Sequence, residues 1–329
     1  IRSRVAEAVA DRMGSALELA ESFGRDEFVA RFAMMRGRLL NKASRFQEGR
    51  RWLERAETVA KRRGDRGLER DIALASAEAH ARNGEYTSVI EDGRRALELA
   101  QLTDEMAAQV RCLLLMSPAY AAIGEGEVAL SALRDAQELM GDPPDRMVEV
   151  ELYKVRSLVL HQLGDQEGMI DSARRALELA REFGFAYEVA VNSHNLGEFY
   201  LRVGEDKKAF SSLKLGYEVA AEHGFARLAW LNVCLLGFLD AMRFGSEQGK
   251  ARMVQSVRYA EERGYTWDLI GEKYLLAMVE QKLGRDQAAT AALRDVIALA
   301  ETHGHLRMRD DAEQGLRALS AGRPISLPR

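Results

Sequence analysis

The chain has 329 residues, 47% of them apolar and 30% charged, with a net charge of −4. That balance suits a folded protein and gives no general attraction for nucleic acid or an anionic membrane, and no apolar run approaches the roughly 20 residues that span a bilayer. Five prolines leave room for long helices, and the two cysteines, Cys112 and Cys234, read as buried free thiols of a reducing, cytoplasmic compartment.

In chain order, residues 1–23 read as one helix that carries the segment ALELA at 16–20, and the same five letters return at 96–100 and 176–180. Steps of 40 fill the gaps with AETVA from Ala56, AQELM from Ala136, GYEVA from Gly216, SVRYA from Ser256 and VIALA from Val296. Eight copies thus share one register without insertion or deletion, the signature of a repeat architecture. Glycine follows the segment by eight residues at Gly24, Gly64, Gly184, Gly224, Gly264 and Gly304, with Asp104 and Pro144 in the two remaining copies. A second set precedes it by twelve residues, at Gly84, Gly124, Gly164, Gly204 and Gly284, with Gly245 one residue out of step. Glycine just past a helix end takes the left-handed cap conformation at little cost. Each unit is therefore helix, tight turn, helix, tight turn.

Between the glycines the apolar spacing is helical, as with Val189, Leu196, Phe199 and Tyr200. No segment sustains an alternation of period two, so no sheet is expected. The register divides the chain into a half unit at 1–24, seven full units at about 25–304, a capping helix at 305–320 and a non-helical tail, GRPISLPR, within 321–329. A polar outer face closes a repeat array; RMRDDAEQ supplies one near the end of the chain, whereas the opening half unit has none. Together with an opening Ile1 in place of methionine, this leads us to expect further domains upstream.

Nineteen residues before each repeated segment stand Gly37, Ala77, Ser117, Ser157, Gly197, Gly237 and Ala277, all small. Small side chains at facing positions let two helices approach to the short end of the roughly 8–10 Å packing range. Pro118 falls inside a first helix, where it removes one backbone hydrogen bond and is expected to bend the helix.

These features resemble tetratricopeptide (TPR) repeats: a small residue midway along the first helix, glycine at the turn and alanines in the second helix. Residues 195–220, NLGEFYLRVGEDKKAFSSLKLGYEVA, are similar to the family's pattern of N-L-G, aromatic, G, A and A. The resemblance covers essentially the whole chain, and its 40-residue unit is like that of MalT-like bacterial regulators and Pins-type adaptors. It implies an all-α, right-handed superhelical solenoid of antiparallel helix pairs.

Chemistry-bearing motifs are sparse. The six histidines, His80, His161, His194, His223, His303 and His305, form no HExxH, and no cysteine stands near enough in sequence to complete a zinc pattern. His194 and Glu198 share a helix face, but a polar pair lining a groove is the preferred reading over a catalytic dyad. Gly124-Glu125-Gly126 lacks the strand and lysine of a phosphate loop and falls on a repeat turn. Neither an enzyme activity nor a cofactor nor a metal is expected.

In the family that the chain resembles, first helices line a concave wall on which ligands lie. Carried onto this register, the inward positions include Arg31, Arg38, Asn41 and Lys42, then Glu78 and Arg82, then Lys154, His161 and Gln162. Later units add His194, Glu198 and Arg202, then Cys234, Phe238 and Met242, then Tyr274, Met278, Gln281 and Lys282. The wall thus changes from basic to more apolar, which suits an extended peptide or a partner helix. Residues 31–70 hold thirteen Lys or Arg against five Asp or Glu; helix-dipole placement explains some of them, and an acidic partner surface explains the rest equally well. The leading expectation is a scaffold or sensor of a larger bacterial regulator that binds a peptide or protein segment, with no nucleic acid or membrane partner. The alternatives are a small-ligand receptor that changes shape on binding and an oligomerisation module around Phe238 and Met242.

Overall fold

In a computed structural model, which describes residues 2–42 and 45–328, with the side chains of 2–8, 11 and 42 left aside, every regular element is a helix. The helices fall into two compact units, residues 1–165 and 166–329. The first holds α1 (Arg2–Ser22), α2 (Asp26–Lys42), α3 (Phe46–Arg63), α4 (Arg66–Arg82), α5 (Tyr86–Leu102), α6 (Met106–Ala122), α7 (Gly126–Leu139) and α8 (Arg146–Leu163). The second holds α9 (Gln166–Glu182), α10 (Ala186–Arg202), α11 (Asp206–Glu222), α12 (Ala226–Phe244), α13 (Glu247–Arg263), α14 (Thr266–Lys282), α15 (Asp286–His303) and α16 (Leu306–Ser320).

The repeated segment explains how each second helix stops. Its last alanine offers a carbonyl that accepts the N–H of the residue after the turn: Asp65 to Ala60 at 3.2 Å, Phe185 to Ala180 at 2.9 Å and Tyr265 to Ala260 at 2.9 Å. This is the bond that closes a left-handed helix cap. Where glycine is missing, Asp104 itself adopts φ +53°, and Glu105 N–H still reaches the Ala100 carbonyl at 3.0 Å. The cap geometry, not the glycine alone, is therefore what recurs.

Short turns make consecutive helices antiparallel. First and second helices of a unit pack as hairpins, α2 on α3, α4 on α5, α10 on α11 and α14 on α15. First helices also touch one another, α2 with α4 and α6 with α8 in one unit, α10 with α12 and α12 with α14 in the other, so they line the inner wall. The small-residue positions are the points of closest approach. A Cβ on Gly197 would stand 2.5 Å from Leu213 Cγ, and one on Gly237 would stand 2.6 Å from the Gly249 carbonyl oxygen. Ala77, Ser117, Ser157 and Ala277 are all buried at the equivalent position. α6 continues through Pro118 without a break, and Ser117 Oγ donates to the Leu113 carbonyl at 2.7 Å.

Both cysteines are free and buried, and burial pushes the Cys112 thiol up to about 11. No helix among the described residues is long and apolar enough to cross a membrane.

Candidate functional site

In the second unit, α10, α12 and α14 present one face to a cavity with room for about 180 Å³ of solvent. Its apolar walls come from Leu231, Leu235 and Phe238 of α12 and from Trp267 and Leu275 of α14. Its polar groups are His194, Glu198 and Arg202 of α10 and Asp268 and Glu272 of α14. Leu327 and Pro328, which lie beyond α16, complete its lining.

The segment beyond α16 is the main structural finding. Gly322 turns the chain at φ +66°, and the Arg323 N–H closes the helix on the Ala318 carbonyl at 2.8 Å. From there the chain crosses the inner wall without forming a further element. Gln281 holds it twice: Nε2 donates to the Arg323 carbonyl at 2.8 Å, and Oε1 accepts the Ile325 N–H at 2.8 Å. Reversing the carboxamide would face donor to donor and acceptor to acceptor, so this pair of bonds sets its orientation. One and two turns of contact further on, Tyr274 OH donates to the Ser326 carbonyl at 2.9 Å, and Arg202 Nη1 donates to the Pro328 carbonyl at 2.7 Å. Glu198 steadies Arg202 from one turn away at 2.8 Å. All four bonds go to main-chain atoms of the segment. Its side-chain contribution is apolar: Ile325 is 4% exposed, with its Cγ2 3.4 Å from where a Cβ on Gly315 would stand, and Leu327 packs on the same core.

The electrostatics of the cavity follow from burial. Glu272 is 5% exposed and pairs with no cation among the described residues, so desolvation pushes its carboxyl up to about 8. Ser256 Oγ lies 2.6 Å from Glu272 Oε1 and 3.0 Å from the Trp230 carbonyl. The hydroxyl can donate to either oxygen, and its bond to Glu272 favours the charged carboxylate but offsets only part of the desolvation. Asp268, by contrast, is held by Arg227 through two bonds of 2.6 and 2.7 Å. Burial lowers the His194 pKa. Asn232 donates to the Leu228 carbonyl at 2.8 Å, so its Oδ1, 3.4 Å from His194 Nδ1, is an acceptor and places the imidazole proton on Nδ1.

The first unit treats its inner face differently. Arg38 is paired with Glu78 at 3.0 Å, one full repeat on, and Glu78 also faces Arg111 at 3.6 Å. Arg31 pairs with Glu27 at 3.1 Å, and Arg82 is exposed. Asn41 is buried against Gly49, with no hydrogen-bond partner for its amide among the described residues, beside a pocket of about 20 Å³. The Lys42 side chain lies outside the described residues. Lys154 is paired with Glu151, and His161 and Gln162 are half-buried at the end of α8. Many cations of residues 31–70 meet acids outside that stretch: Arg50 with Glu85 at 2.9 Å, Arg62 with Asp26 at 2.7 Å, Arg55 with Glu21 and Arg70 with Glu105.

Of the residues nominated from sequence, the structure gathers His194, Glu198, Arg202, Cys234 and Phe238 at one cavity and Arg202, Tyr274 and Gln281 on one segment. Met242 and Met278 pack into the adjoining core, and Lys282 is exposed. Trp267, Asp268 and Glu272 were not nominated, and beside Lys273 on α14 the two carboxylates carry no signal in the sequence that sets them apart. Among the described residues no cluster of His, Cys, Asp and Glu is arranged to hold a metal.

No family model matches the chain, and no curated protein matches it. Among solved structures it is similar to the apo quorum sensor NprR from B. thuringiensis, at 17% identity over 91% of this chain and 86% of that one, with a TM-score of 0.68. Aspartyl phosphate phosphatase F from Bacillus subtilis gives 15% identity, 88% and 75% coverage and a TM-score of 0.68. A Rap conjugation gene regulator of the plasmid pLS20, in complex with a Phr peptide, gives 13% identity, 96% and 94% coverage and a TM-score of 0.59. At such identities the likeness is one of fold. The chain is an array of TPR-like helix pairs.

Proposed function

We propose that the chain is the sensor or scaffold array of a larger bacterial regulatory protein, and that the inner face of its second unit binds an extended peptide or protein segment. One observation carries this: Gln281, Tyr274 and Arg202 already hold an extended stretch of polypeptide by its main chain. Main-chain capture with pockets for alternate side chains is a general mode of peptide recognition. The Rap regulator of similar fold that is bound to a Phr peptide supports the same reading. The Ser256 hydroxyl beside Glu272 is 1% exposed, out of reach of a substrate, so a binding role fits the site better than catalysis.

The test is to select binders from a random peptide library on the intact chain, attach a photoreactive group and map the cross-links. Labelling is expected on α10, α12 and α14. Cross-links confined to the second helices or to the first unit would remove the assignment. The cavity also favours a second reading, a small apolar ligand, which would raise the melting temperature without any peptide present.

A further inference from the structure

Residues 323–328 occupy the track that a peptide ligand would use, and their described side chains fill only part of it. The segment is fixed through carbonyls and one N–H, while the side chains of Arg323 and Ser326 stay exposed. Only Ile325 and Leu327, two residues apart, insert into the wall. Pro324 and Pro328 have no N–H to satisfy and restrict the chain to extended conformations, which lowers the entropy lost on docking. The cavity walled by Leu231, Phe238 and Trp267 is bordered by Leu327 and Pro328 and is filled by none of the described side chains of the segment.

We propose that residues 323–328 are a resident occupant of this track, and that its external ligand is an extended peptide of matching pattern. That pattern is an aliphatic residue, any residue, a second aliphatic residue and proline, followed by a bulky apolar residue that enters the cavity. This rests on the peptide-binding reading above and adds both the ligand's chemistry and its competitor. The resident segment has the advantage of being tethered, which gives it a high effective concentration. The ligand has the advantage of an apolar side chain in the cavity beside Pro328, which is about a tenfold to hundredfold gain in affinity. Exchange between the two is set by these opposing factors, and a segment docked most of the time lowers the apparent affinity by the fraction of time the track is open.

The probes are two synthetic peptides, one with the sequence of residues 322–328 and one with that sequence extended by a phenylalanine, and a scrambled control. Binding is measured by fluorescence anisotropy and hydrogen exchange on the intact chain. We expect the extended peptide to bind at least tenfold tighter than the unextended one and to raise exchange at the Ile325 amide as the segment leaves. Ile325→Asp, which weakens the resident segment, is expected to tighten binding at least tenfold. Adding Gln281→Ala to that variant is expected to reverse the gain. In the wild-type chain Gln281→Ala weakens ligand and competitor together, so the double variant is the informative one. Binding that raises no exchange at Ile325 in the wild-type chain overturns the competition. Equal affinity for the two peptides overturns the role of the cavity, and absence of binding to both chains overturns the ligand pattern. Cross-links outside the second unit, in the mapping described above, overturn instead the reading on which the proposal rests.

Discussion

The two units share one repeat and one register, yet they use the same inner positions for different purposes. In the first, Arg38 reaches across to Glu78 of the next repeat, and buried Arg70 is paired with Asp71 and Glu105. Polar side chains there tie repeat to repeat. In the second, Arg202, Tyr274 and Gln281 turn to main-chain atoms of a passing segment, and burial raises the pKa of Glu272 beside a cavity. The comparison teaches that inner side chains at equivalent positions can pair within the array, as in the first unit, or reach beyond it to a passing main chain, as in the second.

The largest effect that should break the symmetry is pH. Glu272 ionises near 4.5 when unfolded and near 8 in the fold. Its raised value makes the folded state the better proton binder between those limits, so stability is full below about 4.5 and declines as pH rises toward 8. The slope is about 1.4 kcal/mol per pH unit, a few kcal/mol across the window. Glu272→Gln should flatten the decline, measured by urea unfolding at several pH values. A variant with the wild-type slope would show that the carboxyl is not held neutral.

Next in size is the feature that the units have in common. Gly197→Leu should destabilise the second unit by about 1–3 kcal/mol through overpacking against Leu213. Gly37→Leu, facing Leu53 and the Gly49 carbonyl, should do the same in the first. Unchanged thermal melts would contradict the shared close approach. Arg202→Ala should then free the end of the 323–328 segment at a cost of about 1.5 kcal/mol, seen as faster exchange of its amides. Arg38→Ala removes a half-exposed ion pair and should cost less than about 1 kcal/mol. A loss at Arg38 equal to that at Arg202 would erase the distinction between the units.

Some of this was readable along the chain because it is local. Gly197 is legible because a helix hairpin repeats its closest contact every 40 residues. Arg202, Tyr274 and Gln281 are legible as inward positions for the same reason, since a register copies orientation from one helix to the next. What they hold is not legible: Arg202 and Pro328 stand 126 residues apart, and no periodicity links them. The basic stretch at 31–70 misleads in the same manner, because a window count omits Glu21, Asp26, Glu78, Glu85 and Glu105, which the fold brings to its arginines. Glu272 looks like an ordinary helix carboxylate until Ser256 and Trp230 of other helices surround it.

By itself the sequence determined the helix pairs, their caps and the faces they turn inward, because those depend on φ preferences and on contacts between neighbouring turns. Only the tertiary structure decided which inner side chains pair within the array and which also hold residues 323–328. That choice depends on charges and main-chain atoms brought together from distant parts of the sequence, whose desolvation and pairing no local pattern encodes.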